Sequence, residues 1–388
     1  MNRFALALIL LVPSTLPAQE KAPIAATNQS ETARVAQPDT SQGSENGSLA
    51  ESTADSNPVS NLDADAAQQP NAKPTQSTAP SEPAPKIPGS MVGYIDNPIV
   101  QSLIRIRFDD AFEDQFPDRS EFFYAKCACY RGLQNLIPPA YDPNAPGPGP
   151  GVPKAVNYQQ LYMNAEYSPV RRFSAFVEVP VRWLQPQGFL RIPPFAPFSN
   201  QSGLSDVTAG FKFAAIASEG TYFTFQFKSY FPSGDASKGL GTNHYSIEPS
   251  LLLYHKLSSR FTIEGQVGDW HPIGGSAGVP ITGSEGFAGD VFFYGIGPSY
   301  RLYRGRHFGL TPVVELFGWH VISGFQTQPG GPVDGAAAEV GGLNIVNLKV
   351  GVRTNIGFHN SFYAGFGQAL THDDWYKHIV RLEYRYAF

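Results

Sequence analysis

The chain of 388 residues carries 28 Lys and Arg against 33 Asp and Glu, for a net charge of −5, and only 16% of its residues are charged. That length would accommodate roughly two or three soluble domains, and the mildly acidic balance contains no basic run able to follow a nucleic-acid backbone, which argues against a nucleic-acid partner. Its 2 cysteines, Cys127 and Cys129, exclude a disulfide framework.

The first residues read as an export signal. Met1-Asn2-Arg3 is a short basic start, "FALALILLV" an apolar stretch of signal length, and "PSTLPAQE" offers cleavage after Ala18. No Cys follows the apolar run, so lipid attachment there is not expected. Residues 19–88 contain no Phe, Trp or Tyr, with nine acidic and four basic residues. A segment of this composition buries too little apolar surface to offset its ordering entropy, and reads as a disordered periplasmic linker rich in Pro, Ser, Ala and Gln. As a flexible coil it would span about 45 Å end to end. The expected organisation is therefore 1–18 signal peptide, 19–88 linker and 89–388 folded domain.

From residue 89 onward the pattern changes to strict alternation. In "RFSAFVEVPVRW", Phe173, Ala175, Val177, Val179, Val181 and Trp183 share one face, and Arg172, Ser174, Glu178 and Arg182 the other. "TYFTFQFKSYF" sets Phe223, Phe225, Phe227 and Phe231 against Thr224, Gln226 and Lys228, and "NIVNLKVGVRT" sets Val346, Leu348, Val350 and Val352 against Asn347, Lys349 and Arg353. Period two is the signature of strands with one apolar face. Twelve are expected: 102–108, 156–168, 172–183, 204–216, 221–231, 244–256, 260–270, 290–302, 307–320, 344–356, 361–370 and 377–388. No run of eighteen apolar residues offers a membrane-spanning helix in this region.

Connection lengths decide between a soluble sandwich and a membrane barrel. Short turns ("PVR", "ASEG", "LSS", "YRGRH", "GFHN") alternate with long links at about 109–155, 184–203, 232–243, 271–289 and 321–343. Outer-membrane barrels have this rhythm, with short periplasmic turns and long external loops. The fold class expected is all-β: a transmembrane, antiparallel, up-and-down β-barrel of twelve strands in the cell outer membrane. "EFFYAKCACY" in the first long link could form a further strand, but one more would break the even count, so it is kept as a loop; the even alternative to twelve strands is fourteen. The last strand, "VRLEYRYAF", faces lipid with Val380, Leu382, Tyr384, Tyr386 and Phe388, and closes on the first, where Ile104, Ile106 and Phe108 alternate with Arg105 and Arg107.

The aromatic-x-aromatic-x-Phe ending, Tyr384, Tyr386 and Phe388, resembles that of Gram-negative outer-membrane proteins. The resemblance implies that these residues form the signal read by the barrel-assembly machinery. "GLSDVTAGFKFA" and "YSIEPSLLLYHKLSSRFTIEGQVGDW" resemble the outer-membrane family linked to meta-pathway phenol degradation, which implies a transporter-like barrel for small, often aromatic compounds.

On this register Arg105, Arg107, Glu178, Arg182, Lys212, Lys228, Glu248, Glu264, Glu315, Lys349, Arg353, Arg381, Glu383 and Arg385 face the lumen. Such a lining could form a polar passage tuned by charge or a salt-bridged plug. Arg105, Arg107, Arg381 and Arg385 gather at the closing seam with Glu383 the only acid in those two strands, which would favour anionic or π-rich solutes. The expected function is a channel for small solutes, with lipid, the assembly machinery and the solute as partners. The alternative is an anchoring barrel with a filled lumen whose linker meets a periplasmic partner. "NHYS" places His244 and Ser246 two apart, a pattern resembling outer-membrane phospholipase A, but no third member of a hydrolytic set is evident in the sequence. No catalytic residue, cofactor or metal is expected, since the histidines have no ligand spacing. Trp183 and Trp270 read as interface-girdle residues at external strand ends.

Overall fold

The computed structural model describes residues 89–135, 140–190, 196–276, 286–305, 307–328 and 337–388, all within the unit Ser77–Phe388. The signal peptide and linker expected over 1–88 lie outside the described residues. Twelve strands form one antiparallel ring: β1 (Leu103–Asp114), β2 (Val156–Val170), β3 (Phe173–Pro186), β4 (Val207–Ala217), β5 (Thr221–Phe231), β6 (Tyr245–Lys256), β7 (Phe261–Ile273), β8 (Val291–Tyr300), β9 (Phe308–Val321), β10 (Asn344–Ile356), β11 (Asn360–Ala369) and β12 (His378–Ala387). Each pairs with its neighbours in sequence, and β12 closes on β1 with Ile104 opposite Tyr386 and Phe108 opposite Leu382. Two short strands, Gln201–Leu204 on β3 and Tyr303–Arg304 on β9, extend the sheet without joining the ring. "EFFYAKCACY" forms no strand; it links a 3-10 turn at Arg119–Glu121 to a 3-10 helix at Ala128–Asn135.

The barrel is hydrophobic outside and polar inside. Ile106, Phe213, Phe223, Val267, Val350 and Leu382 are exposed on its outer surface, whereas Thr224, Gln226, Glu264, Glu315, Asn347 and Arg353 are buried within. Water would not tolerate so continuous an apolar belt on a monomer; hydrocarbon would not tolerate an open sheet edge. Closure and an apolar outer face satisfy both, and strands of 10 to 15 residues meet the roughly 9–11 needed to cross a bilayer at a tilt. This is an outer-membrane β-barrel.

Two expectations about position are corrected. Trp270 is 3% exposed and points inward with Glu264, Gln266 and Gly268, because its even position on β7 shares their face; Trp183 does face outward, at 38% exposure. The first strand also runs six residues beyond 108, to Asp114. That brings Asp109 inside the barrel, where it meets Arg381, so the closing seam is not a purely basic wall.

The register makes a measurable demand. Val350→Arg on β10, an exposed outward position, should lower the free energy of unfolding from a bilayer by about 2–4 kcal/mol if that face meets lipid near the midplane. Urea unfolding from phosphocholine vesicles reads the difference, and an unchanged midpoint would place the face in water.

Candidate functional site

The lumen is not lined by water-facing charges alone. Residues 90–100 (Ser-Met-Val-Gly-Tyr-Ile-Asp-Asn-Pro-Ile-Val) leave the wall and run through the interior, almost all of them buried. Carboxylates of the wall accept their amides: Glu264 from Met91 at 2.7 Å, and Glu315 from Gly93, Tyr94 and Ile95 at 2.9 Å each. Guanidinium groups take their carbonyls: Arg353 donates to Met91 (2.8 Å) and Val92 (2.6 Å), Arg381 to Gly93 (2.7 Å), and Arg385 to Ser90 (3.0 Å) and Val92 (3.1 Å). Extended backbone inside a barrel needs every polar group met, and these five side chains supply the partners that a neighbouring strand would otherwise provide. The wall is shaped to match. A Cβ on Gly297 would lie 2.6 Å from Val92, one on Gly295 3.1 Å from Ile95, and one on Gly93 2.2 Å from the Tyr363 ring.

The remaining sequence-derived lumen residues are drawn into the same network. Glu383 joins Arg353 (2.7 Å) and Arg385 (2.6 Å), and Arg381 grips Asp109 through two bonds of 2.6 Å. Arg105 pairs with Glu178 at 2.6 Å, with Arg107 farther from the same carboxylate at 3.6 Å. These acids offset the like-charge pair that the register creates by setting Arg105 opposite Arg385. Lys212 pairs with Glu166 (2.8 Å), and Lys228 with both Glu248 (2.8 Å) and Asp96 (2.6 Å). Arg182 donates to Gln160 and to the Phe123 and Gly239 carbonyls, its guanidinium 3.9 Å from the Phe123 ring centre. Lys349 sits among aromatic rings, 3.9 Å from Tyr94 and within 5.7 Å of Phe317, Trp319 and Tyr376. At the terminal strand, the Tyr384 hydroxyl reaches Asn360, Tyr386 packs edge-on to Phe388, and Phe388 is 59% exposed.

The outer end is capped by the first long link. Asp118, Arg119, Ser120, Glu121 and Lys126 are buried there, and Ser120 and Glu121 adopt left-handed backbone (φ 50° and 52°), as does Asn243 beside His244 (φ 63°). These turns bring the Glu121 carboxylate to 3.3 Å from His244 Nε2, while Ser246 Oγ lies 3.2 Å from Nδ1. The third member that sequence spacing did not supply is thus present, from a loop more than a hundred residues away. His244 Nδ1 also lies 3.0 Å from the Tyr245 carbonyl, an acceptor that competes with Ser246 for this nitrogen and favours its protonated form, in which it would not take a proton from Ser246. Cys127 and Cys129 are free buried thiols in the same cap, the Cys127 sulfur accepting the Cys129 amide at 3.1 Å. Outside, at the rim, Asp269, His271 and Asp290 converge within 4.8 Å, with His271 hydrogen-bonded to Asp290.

Between the internal segment and the cap lies a chamber of about 240 Å³. Asp96 forms part of one end, Phe122, Phe123 and Trp270 part of the other, and its sides come from β1 to β6. Trp270 packs against Phe122 (5.3 Å) and His244 (5.7 Å), which gives the inward-facing tryptophan its place.

A closed twelve-strand ring, a lipid-facing belt and a charged interior define the class: an outer-membrane β-barrel. The family model described as "Putative MetA-pathway of phenol degradation" matches residues 167–268. That stretch contains "GLSDVTAGFKFA" whole and all but the last two residues of "YSIEPSLLLYHKLSSRFTIEGQVGDW". Similar solved structures include an outer-membrane channel from Pseudomonas putida F1 (12% identity over 74% of this chain and 96% of that one, TM-score 0.43). The KdgM porin (9%, 74% and 99%, TM-score 0.35) and LpxR from Salmonella typhimurium (7%, 74% and 100%, TM-score 0.39) are also similar. No match is found among curated proteins.

Two outcomes follow from this geometry. Arg353→Ala would take the Arg353 bond from the Met91 carbonyl, leave the Val92 carbonyl to Arg385 and remove one partner of buried Glu383, so stability should fall by about 3–5 kcal/mol, read as denaturant unfolding in detergent micelles. An unchanged stability would mean that the segment is not held there. Burial pushes the Glu121 carboxyl up to about 7 from its ordinary 4.5. A carboxyl protonated in the folded cap contributes stability below pH 4.5 that is lost as pH rises through 7. His244, which faces it, works in the opposite sense: burial lowers its imidazole pKa from 6.5, so its contribution is lost as pH falls. The protection factors of residues 119–126, exchange rates corrected for the intrinsic rise with pH, should therefore fall between pH 4.5 and 7, and Glu121→Gln should abolish that fall while keeping the acid-side effect.

Proposed function

We propose that the protein is an outer-membrane channel for small solutes, which pause in the lumenal chamber on their way between the external loops and the periplasm. The observation that carries this reading is the 240 Å³ chamber itself: a barrel serving only as an anchor has no need of a space inside a wall otherwise filled by paired charges and loops. Its lining combines aromatic rings with cations and carboxylates, chemistry suited to a small organic molecule with one charged end. The match of residues 167–268 to a phenol-degradation family supports an aromatic solute. In this reading the fourteen lumen-facing charges position the internal segment and shape the chamber; none makes or breaks a bond. Tyr384, Tyr386 and Phe388 serve insertion by the assembly machinery, and the linker is available to a periplasmic partner.

The second reading, a filled anchoring barrel, draws on the internal segment, whose backbone is hydrogen-bonded by Glu264, Glu315, Arg353, Arg381 and Arg385. One experiment separates the two. Val92 lies against Gly297, so Val92→Cys with Gly297→Cys, in a Cys127→Ala/Cys129→Ala background, should form a disulfide that locks the segment to β8. For a channel, single-channel recordings in planar bilayers should show steps in the reduced protein that fall at least tenfold on oxidation. Silence in both states would favour the anchor.

A further inference from the structure

The carboxylates that neutralise the chamber's cations come from two kinds of place. Glu178 and Glu248 project from β3 and β6, Glu166 from β2, each fixed by the hydrogen-bonded ring. Asp96 comes from the internal segment, which belongs to no strand of the wall. One of its oxygens receives two donors, Lys228 Nζ at 2.6 Å and Gln226 Nε2 at 2.8 Å. Nearby, the Nε–H groups of Arg105 and Arg107, both lining the chamber, are buried and make no hydrogen bond among the described residues, although Arg107 Nε lies 3.8 Å from an Asp109 oxygen. Buried guanidinium donors are costly to leave unmet, and the Arg105 Nε–H, in a chamber that Asp96 also lines, marks where a second carboxylate oxygen would be welcome. The rings of Phe122, Tyr162, Phe176, Tyr230 and Trp270 complete the lining.

We infer that the chamber is a binding site for a small carboxylate with a flat apolar body, and that Asp96 occupies part of that site as an internal stand-in for the solute's own carboxylate. The inference rests on the channel reading and adds to it a ligand class and a coupling. A solute that takes Lys228 and Gln226 from Asp96 removes one of the segment's anchors, so binding and displacement of the segment are linked. By reciprocity, whatever weakens Asp96 as a competitor strengthens the solute. A cavity of this volume exceeds the roughly 150 Å³ that admits benzene, so benzoate is a probe of suitable size.

The test is calorimetric titration of the full chain, folded in detergent, with benzoate and with its neutral isostere benzamide. Benzoate should bind at least tenfold more tightly than benzamide. Asp96→Asn, which removes the competing charge outside the wall, should raise benzoate affinity at least fivefold and leave benzamide unchanged. Gln226→Leu, which removes a donor and retains Lys228, should lower benzoate affinity alone. Folding of each variant is checked by the heat-dependent mobility shift of the barrel. Benzoate affinity that is equal or lower in Asp96→Asn overturns the stand-in role, and equal binding of the two probes overturns the carboxylate class. Absence of binding by a chain that still conducts in bilayers overturns this inference and leaves the channel reading; absence of both overturns the two together.

Discussion

Hydrocarbon offers no hydrogen-bond partner, and the rest of this structure follows from that. A sheet in lipid must close on itself so that no backbone edge is left bare. Closure of β12 on β1 then forces each strand to divide its residues between lipid and lumen, and the polar half of a twelve-strand wall is brought together in a narrow interior. Charges that would be screened in water must there be paired or capped. The barrel meets that demand partly with its own acids, such as Glu178, Glu383 and Asp109, and partly by drawing in residues 90–100, whose backbone amides and carbonyls match the wall's carboxylates and guanidiniums.

Strand positions were legible in the sequence because the lipid boundary is a strong filter. Phe223, Phe225 and Phe227 alternating with Thr224 and Gln226 admit one register, and the lengths of the connections distinguish barrel from sandwich. The internal segment was not legible. "SMVGYIDNPIV" has no alternation and a single charge, Asp96, too little to betray its partners, and its backbone bonds reach Glu264, Glu315 and Arg381, some 170 to 290 positions away. Gly295 and Gly297, small residues facing inward on β8 against Ile95 and Val92, are the trace the segment leaves in the wall's sequence. Glu121 beside His244 was hidden for a similar reason, since a left-handed turn in a long loop carries it there. Trp270 differs: its inward direction was available from its parity with Glu264 and Gln266, and the preference of tryptophan for interfaces is weaker evidence than parity.

The chamber acquires its chemistry from this arrangement. Ion pairs hold the wall cations in place, so that on the channel reading an entering solute would meet a largely preformed set of donors and rings. The internal segment contributes Asp96 to that set and owes its own position to bonds with the opposite wall, so occupancy of the chamber and placement of the segment share residues. Two states of one barrel, segment seated and segment displaced, would be separated by the strength of a handful of charge-assisted hydrogen bonds.

The central claim is that residues 90–100 are held inside the lumen by the wall's charges, and amide hydrogen exchange of the native protein tests it most directly. The amides of Gly93, Tyr94 and Ile95, all bound by Glu315, should exchange within about tenfold of the rates of central β9 and β10 amides, as groups sharing one cooperative unit do. Exchange of those three amides at the rate of a free peptide, with the strands still protected, would contradict the account.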